Sequence, residues 1–558
     1  FQTLRDGVNR DAVEIMELDY NINDKEFAVC AAEKLMELMK TVAKNKLLLG
    51  AVIPLLPLAG THAQDKAKES APNILFIMSD DHAEKAISAY GSEFSRLAPT
   101  PNIDRIANEG ALFEANYCCN SLSGPSRAAV MSGKHSHANG FMRNGNKFDG
   151  SQLLVQKIFR ANGYQTALIG KWHLVTKPTG FDYWTILNDQ GEYYNPDFIT
   201  ENDTVRIDGY VTDIITEKTI DWLEPRDRNK PFFMMMNHKA VHRNWWPAER
   251  HYHLYDNVDF PVPANYFDNY EGRKAAQKQK MNIYRDMYEG HDLKMNVAKG
   301  SDSLRFDPWK HLNRRMTPEQ WKRFNDNYRE KNNSLWERDL QGKDLALWKY
   351  QRYAREYMAT IASLDESIGK TLDYLKKEGL LDNTIIVYCS DQGFYVGEHG
   401  WFDKRFMYEE SMKMPMMMRF PPKIKAGTHI TKLTQNIDFA PTFLEMCGID
   451  VPKEMQGVSF LPLLEGKKTP DWRKYLYYHF YEFPGFHSVH KHYGVKGERY
   501  KLMYFYQDKE WELYDLKNDP MEMHNIYGQK GTEKITAELK KELTRLQQQY
   551  KVPQRCME

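Results

Sequence analysis

Cysteine is scarce in this chain. Six cysteines occur among 558 residues, and none forms a C-x-x-C pair or the spacing of a zinc-binding motif. The scarcity argues against a structural metal held by thiolates. Cys118 and Cys119 are adjacent, and we expect both to be buried, which is the commoner fate of a free cysteine. A disulfide between other cysteines remains an alternative if the protein is in an oxidising compartment.

The chain also lacks net charge. Its 76 lysines and arginines balance 76 aspartates and glutamates, so no overall field attracts nucleic acid or an anionic membrane. We therefore expect no nucleic-acid partner. Any binding of an anion has to be local.

The apolar run at residues 47–60 is too short for a membrane-spanning helix, which needs about 20 apolar residues. A basic stretch precedes the run, and Thr61-His62-Ala63 after it is similar to a small-residue cleavage site. We interpret residues 39–63 as a signal peptide that leaves no retained membrane anchor; the alternative is a buried hydrophobic helix. Residues 1–38 are then an upstream extension absent from the mature protein, although residues 24–39 could form a helix. The signal peptide predicts export.

Short apolar runs without alternation are typical of strands buried on both faces of a sheet. Helix-like stretches, such as residues 353–380, lie between these runs and predict an α/β sandwich with a large, mostly parallel sheet. Each run is followed at once by charged residues or histidines. Because ligands gather beyond the carboxyl ends of parallel strands, we expect these four endings to form one site. The runs lie at residues 72–79, 166–170, 231–236 and 383–389.

Two further regions differ from this main domain, which is predicted to cover residues 68–465. Residues 250–345 are rich in Arg, Lys, Asn, Tyr and Trp, and we interpret them as a helical insertion near the rim of the site or as a surface excursion without a role. Aromatic strand-like segments and a closing polar helix predict a smaller C-terminal α+β subdomain with an antiparallel sheet at residues 466–558.

The most specific local feature is Ser123-Gly124-Pro125-Ser126-Arg127, followed by a run of small residues that ends in Ser132-Gly133-Lys134. A Pro-Ser-Arg helix start presents free N–H groups to an anion. The segment resembles the type I sulfatase signature, in which cysteine or serine precedes x-Pro-Ser-Arg. This resemblance implies an alkaline-phosphatase-like sandwich. It also implies that Ser123 is oxidised after translation to formylglycine, whose hydrate attacks sulfur.

The resemblance extends from about Pro72 to Tyr527, where residues 513–520 are similar to the closing segment of the family. Serine rather than cysteine at position 123 implies the anaerobic-type radical maturase as a partner, because the aerobic enzyme requires cysteine. A bacterial protein that is periplasmic or secreted is therefore expected.

Two polar pairs match the metal-binding pairs of that family. Asp80 and Asp81 follow the first strand-like run, and Asp391 and Gln392 follow the fourth. Hard carboxylate and amide oxygens suit Ca²⁺, or Mg²⁺, rather than Zn²⁺. Together with Ser123, these residues form the predicted metal site. Gln392 departs from the more frequent asparagine, which puts the geometry of this ligand in question.

Histidines and cations supply the remaining predicted chemistry. The segment from Gly170 to His173 resembles the family's G-K-W-H motif, which implies that Lys171 touches the formylglycine and the sulfate, and that His173 takes the hydrate proton when the sulfated intermediate collapses. We assign His238 as the general acid for the leaving alkoxide, since imidazole titrates near neutrality. Lys404 resembles the late, sulfate-binding lysine of the family, and Arg127 would orient the nucleophile. The three cations would oppose the charge on three sulfate oxygens.

Aromatic and imidazole side chains favour a sugar over a steroid or lipid as the substrate. The segments around residues 391–408 and 479–492 look most like bacterial sulfatases acting on 6-O-sulfated N-acetylglucosamine of glycosaminoglycans, which implies exo-acting 6-O-desulfation. N-sulfo and 2-O-sulfo sugars stay open. The residues expected to surround the sugar are His242, Trp245, Trp246, Asp403, Arg405, Tyr481, Phe486, His487 and His492.

Two alternative functions belong to different classes. A phosphatase or phosphonate hydrolase of the same superfamily would use an unmodified hydroxyl on two metals, but the lysines stand where the second ion would sit. A non-catalytic binder of sulfated glycans would result if Ser123 stayed unoxidised.

Overall fold

The computed structural model describes residues 71–308 and 315–558. The predicted signal peptide, the upstream extension and the helix predicted at residues 24–39 lie outside the described residues. Within the described part of the chain, no helix is both long and apolar enough to cross a membrane.

Strands form the central layer, a smaller four-stranded sheet and two separate pairs of short strands. They are β1 (Asn73–Ser79), β2 (Ala111–Phe113), β3 (Asn116–Tyr117), β4 (Gln165–Gly170), β5 (Tyr183–Leu187), β6 (Asp197–Ile199), β7 (Thr204–Arg206), β8 (Phe232–Asn237), β9 (Thr384–Ser390), β10 (Tyr395–Val396), β11 (Phe402–Asp403), β12 (Met416–Arg419), β13 (Thr428–Ile430), β14 (Thr434–Gln435), β15 (Tyr475–Phe480), β16 (His492–Gly497), β17 (Tyr500–Phe505) and β18 (Glu510–Asp515).

Helices cover the strands. The α-helices are α1 (Glu93–Leu97), α2 (Pro101–Asn108), α3 (Ser123–Ser132), α4 (Ser136–Asn139), α5 (Val155–Ala161), α6 (Val211–Leu223), α7 (Lys274–Lys278), α8 (Ile283–Asp286), α9 (Pro318–Arg338), α10 (Gly342–Lys377), α11 (Glu409–Met412), α12 (Phe439–Met446), α13 (Leu461–Leu464) and α14 (Glu533–Gln549). Short 3-10 helices lie at Glu84–Ala86, Ser88–Tyr90, Glu249–His251, Leu381–Asn383, Glu398–Gly400, Asn436–Asp438 and Gln554–Cys556.

The large sheet has ten strands in the order β13-β2-β12-β9-β1-β8-β4-β5-β6-β7. Its five central strands, β9 to β5 in that order, all pair in parallel. Both faces are buried: Phe76 and Met78 join the core beneath α3, α5 and α12, whereas Leu75 and Ile77 join the core beneath α2, α6 and α10. This alternation explains the uninterrupted apolar run of β1. The predicted fold class is confirmed.

The C-terminal sheet is antiparallel, in the order β15-β16-β17-β18. Tyr477, Val495 and Leu502 on one of its faces pack against Leu539 and Leu543 of α14. The connection from β15 to β16, residues 481–491, returns to the carboxyl edge of the large sheet. The subdomain therefore contributes one wall of the site described below.

The segment predicted as a helical insertion contains α7, α8, α9 and the start of α10, joined by long irregular connections. The helix α9 begins with a capping box in which Thr317 accepts from the backbone of Gln320 and the glutamine side chain accepts from the backbone of Thr317. Tyr328 of α9 donates to Glu356 of α10 at 2.5 Å, which fixes the segment to the main domain.

Candidate active site

Four neighbouring strand ends bring the predicted polar residues together. In the registers of the parallel strands, Ser79 pairs with Ser390, Met78 with Asn237, and Asn237 with Gly170. The residues that follow these positions leave the sheet at one edge. The side chains of Asp80, Lys171 and Asp391 therefore meet there, and all three are fully buried.

The helix α3 begins at Ser123, directly above this edge. The Ser123 hydroxyl donates to Asp80 Oδ1 at 3.2 Å, and the residue is 1% exposed. A Cβ on Gly124 would lie 2.6 Å from the Phe141 ring and 2.8 Å from Asn144 Oδ1, so glycine is required for this close approach. The partial positive charge of the helix start faces the hydroxyl, an arrangement that favours anions.

Carboxylates crowd the floor beneath Ser123. Although burial raises the pKa of Asp80, the cations Lys171 and Arg127, with His242, hold it well below its ordinary value. The pKa of Asp81 is raised to about 8 by burial and by repulsion from Asp80, Asp391 and other carboxylates, which Lys404 only partly offsets. Asp80 is thus held ionised, whereas its neighbour Asp81 resists ionisation. A cation bound here would remove that resistance.

The side chain of Gln392 is a second reason why these residues fit a divalent metal. Its Nε2 donates to Asp81 Oδ1 at 2.5 Å, while its buried Oε1 has no hydrogen-bond partner among the described residues. One carboxylate oxygen each of Asp80 and Asp81 and a ring nitrogen of His242 all lie within 4.8 Å of one another. With Asp391, whose Oδ1 accepts from the Asp81 backbone at 3.1 Å, the site offers mostly hard oxygen donors.

Three cations balance these carboxylates. Arg127 donates from Nε and Nη2 to Asp391 Oδ2 at 3.2 and 3.1 Å. The ammonium of Lys171 contacts Asp80 Oδ2, and Lys404 bonds both oxygens of Asp81 at 2.6 and 2.7 Å. All three cations are almost fully buried. The floor of the site therefore pairs three buried cations with three buried carboxylates.

A cavity of about 1020 Å³ opens above this floor. Of the predicted residues, those that reach its wall are Ser123, His173, His242, Asp403, Lys404, Arg405, Phe486 and His487. Asp80, Asp81, Arg127, Lys171, Asp391 and Gln392 lie in the floor beneath, where they contact one another as described.

Two histidines line the cavity together with Ser123. Burial and the Lys171 ammonium lower the pKa of His173 well below its ordinary value. Burial and the same ammonium also lower the pKa of His242, whose Nε2 lies 3.7 Å from Asp81 Oδ2. The His242 Nδ1 faces its neighbour's carbonyl, Arg243 O, at 2.8 Å and therefore donates its hydrogen there. Its Nε2 is left facing the site.

The assignment of His238 as the general acid is not supported by the structure. The His238 backbone N–H donates to Met78 O at 2.8 Å and so continues the hydrogen bonding between β8 and β1. Its side chain therefore points to the same face of the sheet as that of Met236. There its Nε2 meets Ser367 of α10 at 3.3 Å, away from the cavity. Burial lowers its pKa to about 3. His242, four residues later, is the histidine of this segment that lines the cavity.

Several predicted sugar contacts belong to the core instead. Trp245 is fully buried, with its ring packed on Tyr353 and Phe402. His492 accepts from Met407 N at 3.1 Å and donates to His490 O at 2.8 Å, so both of its nitrogens are used away from the cavity. Trp246 is 2% exposed and packs on Phe324, and Tyr481 stacks on His479 at 3.7 Å. None of these four residues lines the cavity.

Other cavity residues were missed in the sequence. Gln190 contacts Lys171 and His173, Lys239 donates to the Gln190 carbonyl, and Arg243 and Glu482 complete the wall. Lys239 directly follows His238 in the sequence. Gln190 occupies a polar turn after a strand, a weak signal that many surface turns share.

Comparisons with known proteins agree with this geometry. A family model described as Sulfatase matches residues 72–449, and one described as N-sulphoglucosamine sulphohydrolase, C-terminal, matches residues 397–549. The N-acetylglucosamine-6-O-sulfatase of Bacteroides thetaiotaomicron is 49% identical over 507 residues, which is 89% of this chain and 90% of that protein.

Two solved structures extend the comparison. A protein in complex with its substrate D-glucosamine-2-N,6-O-disulfate superposes with a TM-score of 0.83 at 49% identity, covering 87% of this chain and 99% of that one. The phosphonate monoester hydrolase of Silicibacter pomeroyi gives a TM-score of 0.64 at 19% identity, covering 86% and 96% respectively. The second likeness is one of fold alone.

Proposed function

The chain belongs to the sulfatase family and is a sulfuric ester hydrolase, and from this premise we propose that it removes the 6-O-sulfate of N-acetylglucosamine at the end of glycosaminoglycan fragments. The observation that carries the proposal is the position of Ser123, which starts a helix above Asp80 between three buried cations at the base of the cavity. The relative that is 49% identical is named for this reaction, and this similarity supports the choice of sugar and position.

The nucleophile in this proposal derives from Ser123. Formylglycine at this position would supply a hydrated aldehyde as the nucleophile, and a divalent cation held by the carboxylates of the floor would stabilise its negative charge. Arg127, Lys171 and Lys404 place positive charge around the sulfate oxygens. His173 and Ser123 both line the cavity, and the histidine would take a proton from the hydrate when the sulfated intermediate collapses.

His242 acts as the general acid in this account. Its Nε2 faces the site, where the leaving oxygen of the sugar would lie, and the bound sulfate brings negative charge that favours the protonated imidazole. An alkoxide leaves poorly without a proton, so this transfer is worth about 100- to 10,000-fold.

Members of this family generally use a divalent metal, and we propose Ca²⁺, held by Asp80, Asp81, Asp391, Gln392 and the residue derived from Ser123. The raised pKa of Asp81 and the unpartnered Gln392 Oε1 support this choice. Mg²⁺ demands stricter octahedral geometry and keeps more of its waters.

Removal of the metal is expected to reduce turnover by at least roughly 100-fold, since an uncompensated carboxylate cluster distorts the anion site. The melting temperature should fall with it, because a ligand that binds the native state stabilises that state. Chelation, elemental analysis to verify removal, and titration with Ca²⁺, Mg²⁺ and Zn²⁺ provide the measurement. Full activity and an unchanged melting temperature in verified metal-free protein would contradict the assignment.

The cavity wall supports a sugar as the substrate. Arg405 donates to Asp403 Oδ1 at 2.8 Å and to Glu482 Oε1 at 2.7 Å, and His487 Nε2 lies 3.2 Å from Asp403 Oδ2. This network holds charged donors and acceptors rigidly beside the site, a geometry suited to neighbouring sugar hydroxyls. The exposed Phe486 ring on the rim adds an apolar surface for a sugar face.

The sugar assignment predicts strong selectivity among defined monosaccharides. Because a site built to bind particular hydroxyls leaves its polar groups unpaired with the wrong isomer, kcat/KM for N-acetylglucosamine-6-sulfate should exceed that for the 3-sulfate and for N-acetylgalactosamine-6-sulfate by at least about 100-fold. Desulfated products are quantified with protein whose formylglycine content is known. Equal rates on the three sugars would refute the proposed substrate.

We also propose export and maturation by the anaerobic-type maturase. The sequence pattern at residues 39–63 supports export to the periplasm or outside the cell, and the serine at position 123 supports the choice of maturase.

A further inference from the structure

Gln190 lies on the cavity wall in a tight turn after β5. Gly191 N donates to Asn188 O at 2.9 Å, and both Asp189 and Gly191 have positive φ values, 50° and 69°. The turn directs the Gln190 side chain toward the end of β4. Lys171 and His173, two of the groups that the proposed function uses, leave the sheet at that end.

The Gln190 side chain bridges these two groups. Its Oε1 accepts from Lys171 Nζ at 2.6 Å, and its Nε2 lies 2.8 Å from His173 Nε2. Its backbone carbonyl accepts from Lys239 Nζ at 3.1 Å, which fixes the turn on the opposite side. Among the described residues, no other side chain forms hydrogen bonds with both Lys171 and His173.

The chemistry of the partners determines the orientation of the amide. A lysine ammonium only donates hydrogen bonds, so the amide oxygen has to face Lys171. The NH₂ group then faces His173, whose Nε2 must carry a lone pair to accept it. The tautomer follows from this pairing rather than from an observed hydrogen position. The lone pair is therefore on the nitrogen that lines the site.

We propose that Gln190 is a positioning residue that binds Lys171 and His173 into one unit and keeps His173 Nε2 unprotonated until the amide NH₂ gives way to the incoming proton. This role rests on the proposed function, in which His173 accepts a proton. Gln190 acts through its two partners and needs no contact with the reacting atoms. The charged groups around the imidazole are Lys171, Arg127, Lys404, Asp80 and Asp189.

Two substitutions of similar size separate the two hydrogen bonds. Q190M removes both bonds and should lower kcat by about 10- to 100-fold, the size expected when a hydrogen bond to a charged group is lost, with KM changed by less than about threefold. Q190E keeps the acceptor for Lys171 but places a carboxylate beside the imidazole, which favours the protonated ring. The acidic limb of the kcat–pH profile should therefore move to higher pH in Q190E, and by a smaller amount in Q190M, which loses only the amide hydrogen bond to the neutral ring.

The measurement is kcat and KM against pH for wild type, Q190M, Q190E and the control Asn202→Ala, all with equal formylglycine content and with melting temperatures recorded. The control alters an exposed side chain between β6 and β7, outside the cavity lining, and should change kcat by less than about threefold. Wild-type kcat in Q190M would overturn the role, and so would a wild-type pH profile in Q190E. An inactive wild-type protein with Ser123 oxidised would instead overturn the proposed function and this role together.

Discussion

Replacement of Ser123 by alanine is expected to lower sulfate ester hydrolysis by at least roughly 10,000-fold, because loss of a nucleophile removes the covalent route and leaves only the binding groups. Ser123 is nearly fully buried at the start of α3, and its hydroxyl contacts Asp80 at 3.2 Å. Alanine is smaller and helix-compatible, so the fold should persist. The measurement is kcat on N-acetylglucosamine-6-sulfate, with the melting temperature of each protein.

A matched control lies on the same helix. Ser132 is also buried, but its hydroxyl donates to Ala128 O at 2.7 Å within α3, at the end of the helix away from the cavity. Ser132→Ala should retain activity within about fivefold, since the loss of one neutral hydrogen bond affects stability rather than chemistry. Substantial turnover by folded Ser123→Ala protein would exclude a nucleophile derived from this serine.

Exchange of His242 for glutamine should reduce turnover of the sugar sulfate by about 100- to 10,000-fold, the range for loss of a general acid. The loss should depend on the leaving group. A phenolic sulfate, whose leaving oxygen needs little protonation, should lose far less rate than the sugar ester. Comparison of kcat/KM for 4-nitrophenyl sulfate and N-acetylglucosamine-6-sulfate measures this difference.

His238→Gln is the matched comparison. Because His238 faces Ser367 on the α10 side of the sheet, its substitution should act through packing alone and should change both substrates by the same small factor. If His238→Gln showed the leaving-group dependence and His242→Gln did not, the general acid would be His238 after all.

The difference between these two histidines shows what the sequence could establish. The apolar runs predicted β1, β4, β8 and β9, and parallel pairing then explains why Asp80, Lys171 and Asp391 meet. These inferences need only local pattern and sheet geometry. Local pattern is not enough for the segment after β8. The alternation of that strand places His238 on the face of the sheet that α10 covers.

The turn that follows His238 decides which histidine enters the site. Val241 N bonds to Asp80 O, and His242 N bonds to Lys239 O at 3.0 Å, so the chain returns to the edge that carries Asp80 at His242. The first of these backbone contacts joins residues far apart in sequence. Composition therefore could not distinguish the two positions.

The burial of aromatic residues near the site also could not be predicted from the sequence. Trp245 and Phe486 both occur in loops near the site, yet one is fully buried and the other is 68% exposed on the cavity rim. Their burial depends on α10 and on the C-terminal subdomain, which tertiary packing brings together. Gln190 was missed for a related reason, because its importance comes from partners on a neighbouring strand.

The central claim is that a residue made from Ser123 carries out sulfate ester hydrolysis. The most direct test is the mass of the Ser123 peptide, measured alongside turnover in protein produced with and without an anaerobic-type maturase. We predict that the peptide loses two hydrogen atoms only with the maturase, and that kcat per chain rises in proportion to this oxidised fraction. Equal turnover by protein that retains only unmodified serine would contradict the account.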